Sequence, residues 1–312
     1  MSHPPLVRSR PGTDGQDAAT DRCPGVARPW PAEDGLLVRV RLPGGRVTAG
    51  ALASLSGVAR EHGDGDLHLT GRANLQLRAL PSADAADGGP GAVRPDVVAD
   101  LAATGLLPST THELVRNLMA SPRTGLDTGR VGGGRADLRP VVHALDAALL
   151  AEPAAAGLSG RFLLALDDGR GDLVDRPCDL GAVALDDRTA QLRVGAGWGE
   201  VVALDDVPAA LLDLVRRFLA ARPDPAAAWH VAELDGPLAP TRAPDDRVPA
   251  PAARPAYGPL VGGEHVEAPG GVLGPDLVDA LVARDPGGTL VVTPWRGVVV
   301  PDPAPHEEGG AR

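Results

Sequence analysis

The chain has no lysine: all thirty of its basic residues are arginine. That excludes a P-loop lysine and Schiff-base chemistry through lysine. Any anion site must therefore be built from guanidinium groups, which suit planar carboxylates. Cysteine is nearly absent, with only Cys23 and Cys178, which form neither a CxxC nor a zinc spacing. Aromatic residues are 2% of the chain, so the core must rest on Leu, Val and Ala. The sequence lacks an apolar run long enough to span a bilayer, and its opening "MSHPPLVRSRPGTDGQ" has no apolar signal core. A cytoplasmic protein with reduced thiols is expected. Basic charge is in deficit, the net value being −11, which argues against a nucleic-acid partner.

Glycine (40) and proline (32) are abundant and predict many turns and linkers between two or three compact units. Residues 1–30 lack periodicity and read as a mobile tail. "GLLVRVRLPGG" (35–45) alternates as a strand into a turn, and Thr48 is placed to cap a helix to about Glu61. A half domain is thus expected over 31–81, with a linker at 82–92. A middle α+β unit follows over 93–235, with helices near 94–104 and 137–151 and strands near 161–174, 180–185 and 190–194. A further helix after Asp206 carries a stripe of Leu211, Leu212, Val215, Phe218 and Leu219. "THELVRNLMASP" reads as a strand or a short helix. Residues 236–256 read as a second linker, 257–302 as a further unit, and 303–312 as a tail.

The stretch "LHLTGRANLQLRALP" (67–81) reads as one strand whose polar face carries Arg72, Asn74, Gln76 and Arg78, with Ala73, Leu75, Leu77 and Ala79 behind. Asn and Gln are poor strand formers, so the row needs a reason. An edge-strand face in solvent is one; an anion site is the other. Residues 257–302 repeat the order of the first unit. "LPGGRVTAGAL" answers to "APGGVLGPDL" and "LHLTGRANLQL" to "LVVTPWRGVVV". Setting Thr70 against Thr293 puts Arg72 opposite Trp295, one place from Arg296. The two β-α-β halves are expected to pair into one sheet, with Arg72 and Arg296 near a common cleft. Trp295 either stacks on a ligand there or fills core. "HEL" at 112 lacks the second His of a zinc helix, "DDGRGD" (167–172) lacks the closing Glu of a calcium loop, and "GAGWG" (195–199) opens no helix. The first reads as structural and the other two as turns.

The runs "RCPG", "LVRVRLPGGRVTA", "GDGDLHLTGRANLQLRAL", "LVRNLMASPRTG", "GRFLLALDDGRGD" and "TPWRG", in this order between residues 22 and 297, resemble the nitrite/sulfite reductase superfamily, and within it the precorrin-3B synthase family. The resemblance implies an α+β fold of two ferredoxin-like half domains pairing around a middle α+β domain. It implies that Arg72 of the Thr-x-Arg strand and Arg116 of the Arg-Asn pair, beside Asn117, meet the carboxylates of a tetrapyrrole. Arg161 matches the first basic residue of a "(K/R)-F-K" strand, while Leu163 stands where the second would be. With Asn74, Gln76 and Arg296 these form the expected ligand set.

The family also carries a [4Fe–4S] cluster on four cysteines, downstream of the second half domain. A cubane takes about four thiolates and this chain has two, so no cluster and no other metal is expected on this chain alone. The activity implied is that of an oxidoreductase of cobalamin biosynthesis, which uses dioxygen to hydroxylate a precorrin and close a lactone. The alternative is a non-catalytic tetrapyrrole-binding remnant, or one half of a split enzyme whose iron–sulfur module is a separate chain.

Overall fold

Leu36, Val38 and Val40 alternate inward along a strand while Arg39 points out, which is the period-2 pattern of a half-buried sheet. That strand sits in a computed structural model that describes residues 21, 23–83, 91–222 and 228–303. The first half domain runs β1 (Trp30–Ala32), β2 (Gly35–Val40), β3 (Arg46–Thr48), α1 (Ala49–His62), β4 (Leu67–Leu69) and β5 (Leu75–Leu80). Thr48 caps α1, its hydroxyl accepting the Ala51 N–H at 3.2 Å. The middle unit contributes α2 (Pro95–Ala103), β6 (Leu118–Ala120), α3 (Arg139–Ala151), β7 (Leu164–Asp167), β8 (Leu180–Ala184), β9 (Thr189–Val194), β10 (Gly197–Ala203) and α4 (Val207–Ala221). The second half domain runs β11 (Gly258–Leu260), β12 (Gly263–Glu267), β13 (Val272–Leu273), α5 (Pro275–Arg284), β14 (Thr289–Val292) and β15 (Gly297–Pro301).

The repeat is visible in backbone geometry. Pro43-Gly44-Gly45 and Pro269-Gly270-Gly271 make the same turn, each with two left-handed glycines. Thr70–Asn74 and Thr293–Gly297 make the same hairpin end, closed by Thr70 N–H to Asn74 O and Thr293 N–H to Gly297 O at 2.9 and 2.8 Å. Ala73 (φ 56°) and Arg296 (φ 62°) hold the same left-handed position. This corrects the single-strand reading of 67–81. The polar–apolar alternation runs through a turn, so Arg72 and Asn74 sit at the end of the β4–β5 hairpin, not on the face of a strand.

The halves also do not share one sheet. They make two five-stranded sheets, β1-β2-β5-β4-β13 and β11-β12-β15-β14-β3, each completed by a short strand from the other half. Val272 pairs with His68, and Val47 with Leu290. Exchanged strands this short gain little alone, but they place α1 against α5 over one core, with Leu52, Leu55, Val278 and Leu281 all buried. Gly45 lies between the hairpin ends. A Cβ there would stand 2.2 Å from the Val292 carbonyl and 3.3 Å from the Ala73 methyl, so only glycine allows the approach.

The middle sheet has the order β10-β9-β8-β7-β6, parallel from β6 to β8 and antiparallel beyond. Helices α3 and α4 pack on one another above it, and Phe162 and Phe218, the only two phenylalanines, meet at 4.9 Å in its core. Gly44 carries the first half domain onto this unit, facing Val142 of α3 and Ala120 of β6. Two segments expected as loose chain are packed. Residues 236–256 lie along the middle unit, with Asp245 N–H on Gln191 Oε1 at 2.8 Å and Ala252 N–H on Gly171 O at 2.9 Å. Asp21 and Cys23–Arg28, expected in the tail, are seated against Gly160, Arg41 and Glu113. Of the expected tails, residues 1–20, 22 and 304–312, and of the first linker residues 84–90, lie outside the described residues. No described helix is long and apolar enough to cross a membrane.

Candidate functional site

Two asparagines join the first half domain to the middle unit. The Asn74 side chain is buried; its Oδ1 accepts the Leu42 N–H at 2.9 Å, and its Nδ2 donates to Asn117 Oδ1 at 3.2 Å. Asn117 in turn donates to the carbonyls of Leu114 at 3.2 Å and Gly160 at 2.7 Å. The Arg72 hairpin end and the residue before Arg161 are thereby fixed to one another. Asn74 and Asn117 thus lie beneath the surface and act as its frame.

Above this frame the guanidinium groups converge. Arg39 and Arg41 leave β2 on the same side as Gln76 of β5, which lies across from Arg39. Arg41 is 2% exposed, with Nη1 donating to Pro24 O at 2.7 Å and to Arg39 O at 3.0 Å. Its Nε and Nη2, and Arg39 Nε, are buried with no hydrogen-bond partner among the described residues. Buried donors are almost always paired, so three orphans in neighbouring arginines call for an acceptor. Burial, and then the like charge of Arg39, push Arg41 down to about 10, and burial lowers Arg39 as well. Arg39, Arg41 and half-buried Arg72 all bear on the Cys23 thiol. Burial and the Asp21 charge nevertheless hold that thiol above its ordinary value. Arg161 stacks on Trp229 with its guanidinium 4.5 Å from the ring and its Nε 3.9 Å from Asp21 Oδ1.

The expected ligand set is only partly brought together. Arg72 and Arg161 flank the frame made by Asn74 and Asn117, and Gln76 lies beside Arg39. Arg116 turns away: it makes a bidentate pair with Asp146 of α3 at 2.7 and 2.8 Å. Arg296 is exposed on the second hairpin end. Trp295 packs edge-on to His265, centroids 6.5 Å apart, and its carbonyl accepts the Tyr257 hydroxyl at 2.6 Å. Arg39 and Arg41 were missed from the sequence. Their alternation in "RVRL" was visible, but their convergence on Cys23 and Arg72 depends on the long-range pairing of β2 with β5.

Another charged cluster sits below, in the turn "DDGRGD". Asp167 accepts the N–H groups of Gly169, Gly171 and Leu173, and Arg170 bridges Asp168 and Asp127. It shapes the loop that carries Arg176, whose guanidinium donates to the Gly71 carbonyl beside Arg72.

Three comparisons bear on identity. Residues 30–87 match the nitrite/sulfite reductase ferredoxin-like half domain. A precorrin-3B synthase from Sinorhizobium sp. is 30% identical over 183 residues, covering 58% of this chain and 35% of that protein. The chain thus spans about a third of the length of that curated relative. The NirA protein of Mycobacterium tuberculosis superposes with a TM-score of 0.59 at 18% identity, covering 86% of this chain and 54% of that one, which establishes the fold. Residues 30–87 are thus a ferredoxin-like half domain of the nitrite/sulfite reductase type, and the chain around them is similar to a precorrin-3B synthase in sequence and to NirA in fold.

Proposed function

We propose that the chain binds a polycarboxylate tetrapyrrole between its first half domain and its middle unit, as a precorrin-3B synthase-like oxidoreductase of cobalamin biosynthesis. The observation that carries this reading is the cluster of Arg39, Arg41, Arg72 and Arg161, in which three buried guanidinium nitrogens lack an acceptor. Carboxylates would fill those positions, and each charge-assisted bond contributes roughly 1.5–3 kcal/mol. Arg72 at the hairpin end and Arg161 beside Gly160 are positioned by Asn74 and Asn117, so the ligand meets a prearranged set. Gln76 extends the polar face. Arg116 acts through Asp146 and supports the fold behind the site. Arg296, on the other hairpin end, would contact a ligand only if the ligand reaches past Gly45.

The redox centre of the family does not fit the side chains here. Cys178 packs against Met119, Leu163 and Leu173, with burial pushing its thiol up to about 11, and Cys23 stands among the arginines. Two sulfurs are half of a cubane's ligand set. We therefore assign this chain the binding and orientation of the tetrapyrrole and route no electron transfer through it. In the alternative reading the same site belongs to a non-catalytic remnant, or to half of a split enzyme partnered by a separate iron–sulfur chain. Both readings make the same demand on the arginines.

Titration with uroporphyrin, a carboxylate-rich porphyrin, followed by its visible absorption, tests the proposal. Binding is expected at about micromolar affinity, weakening with added salt and absent for the methyl ester. Equal binding of acid and ester would overturn it.

A further inference from the structure

The inner arginines of the cluster are covered, Arg41 being buried and Arg39 half-buried. Three surface cavities lie elsewhere, one lined by Arg217 and Leu238, one by Trp30 and Arg78, and one by Gln191 and Arg242. Over the cluster itself runs the segment of Asp21 and Cys23–Arg28. Asp21 Oδ2 accepts the Gly160 N–H at 2.5 Å and Arg28 Nη2 at 3.3 Å. Its Oδ1 accepts the Cys23 N–H at 3.1 Å and lies 3.9 Å from Arg161 Nε. Burial raises the Asp21 carboxyl, but the backbone donors of Cys23 and Gly160, with Arg28, outweigh it and hold the group below the usual carboxylate range. The carboxylate is thus ionised and fully engaged.

The fit is close. A Cβ on residue 160 would stand 2.6 Å from Cys23 Cβ, 3.2 Å from Asp21 Oδ2 and 3.4 Å from Arg41 Nη2. Glycine at 160 therefore lets the segment reach Arg41, where the Pro24 carbonyl takes one guanidinium nitrogen. The two ends of the segment are held differently. Val26 is buried in the core of the half domains, so that end is anchored by apolar packing. The end that carries Asp21, Cys23 and Pro24 is held chiefly by polar contacts, the Asp21 carboxylate on Gly160 N–H and near Arg161 and the Pro24 carbonyl on Arg41, which another carboxylate can replace.

We infer that Asp21 is a ligand mimic built into the chain: its carboxylate occupies the subsite of Gly160 N–H, Arg28 and Arg161, and an incoming polycarboxylate displaces it. Asp21, Cys23 and Pro24 lift away, as an arm about the Val26 anchor, baring Arg39 and Arg41. This rests on the tetrapyrrole reading for the identity of the ligand, but the exchange itself requires only carboxylates. A tethered competitor weakens apparent affinity by the fraction of chains in which the arm is displaced.

The test uses the full chain and Asp21→Asn, with Asp21→Glu as the variant that keeps the charge. Folding of all three is checked by circular dichroism. Two probes are titrated, uroporphyrin and mellitate (benzenehexacarboxylate), and Cys23 alkylation is timed by peptide mass spectrometry without ligand. Asp21→Asn is expected to bind both probes about tenfold more tightly, as for a competent state populated at about a tenth in wild type. It should also alkylate Cys23 several-fold faster, while Asp21→Glu stays near wild type. Unchanged alkylation in Asp21→Asn overturns the inference, since Asp21 then does not hold the arm. Faster alkylation with unchanged or weaker binding of both probes also overturns it, because the arm then does not occupy the ligand's place. If mellitate binds Asp21→Asn more tightly than wild type while uroporphyrin binds neither, the displaceable carboxylate stands and the tetrapyrrole reading falls.

Discussion

Removing the Asn74 side chain should weaken both the fold and the site. Asn74→Ala strips the acceptor from the Leu42 N–H (2.9 Å) and the donor from Asn117 Oδ1 (3.2 Å), in a place where Asn74 is 1% exposed. A buried polar group left without its partner costs about 1–3 kcal/mol. Two such groups give about 2–6 kcal/mol, the lower end applying if water enters the space. Asn74→Asp keeps the acceptor for Leu42 but sets a carboxylate oxygen against Asn117 Oδ1, so it should be no better than alanine. In Asn117→Ala the Gly160 and Leu114 carbonyls also lose their donor. The double variant should therefore lose less than the sum of the singles, with a coupling of about 1 kcal/mol. Urea unfolding followed by circular dichroism gives the global loss. Hydrogen exchange at the Leu42 amide reports the local loss, which matters because a chain of several units need not unfold in one step. Asn74→Ala within 0.5 kcal/mol of wild type, with Leu42 exchange unchanged, would show that the asparagine pair does not frame the site.

Further outcomes follow from the same contacts. Asp172 is pushed up to about 8, by burial and then by the Asp167 and Asp168 charges. Folded chains thus keep a proton that unfolded chains release near pH 4, and stability should fall from about pH 4 to pH 8 by up to about 1.4 kcal/mol per pH unit. Asp172→Asn keeps an acceptor for the Ser121 hydroxyl and should remove that slope; an unchanged melting profile against pH would contradict this. Arg116→Ala should destabilise by about 3–5 kcal/mol, as breaking a largely buried pair does, with partial recovery in the double variant with Asp146→Ala. A loss of ligand affinity without loss of stability would restore Arg116 to the binding surface. Protein reconstituted with iron and sulfide under anaerobic conditions should hold no stoichiometric cluster. Four irons per chain, lost in a Cys23→Ser, Cys178→Ser double variant, would refute the reading of the two thiols.

Elements with a local chemical signature were legible in the sequence. The alternation of β2, the Thr48 cap of α1 and the two Pro-Gly-Gly turns announce themselves over a few residues, and the repeat followed from them. The Arg72 hairpin was not legible, because Ala73 takes a left-handed conformation without glycine and the alternation continues through the turn. Its counterpart "TPWRG" carries the proline and glycine that mark a break, so the repeat held the missing signal. The exchange of β3 and β13 hid for another reason: strands of two or three residues have no period to read. The pairing of Arg116 with Asp146 and the seating of Asp21 on Gly160 are long-range contacts, thirty and 139 residues apart. No local pattern encodes them. Polar residues that resemble a ligand set in sequence divide in space into frame (Asn74, Asn117), brace (Arg116) and surface (Arg72, Arg161).

The most direct measurement is isothermal titration of uroporphyrin into wild type, Arg72→Ala and Arg78→Ala. Arg72 stands at the hairpin end with Arg39, Arg41 and Cys23, whereas Arg78 pairs with Asp34 near the other end of β5, at 3.2 Å. Loss of one charge-assisted carboxylate contact is worth about 1.5–3 kcal/mol, so Arg72→Ala should bind about ten- to a hundredfold more weakly. Arg72→Lys should recover part of this, because an ammonium cannot make the bidentate contact. Arg78→Ala should bind as wild type does. If Arg72→Ala keeps wild-type affinity, or the two alanine variants lose it equally, the arginine cluster is not the tetrapyrrole site.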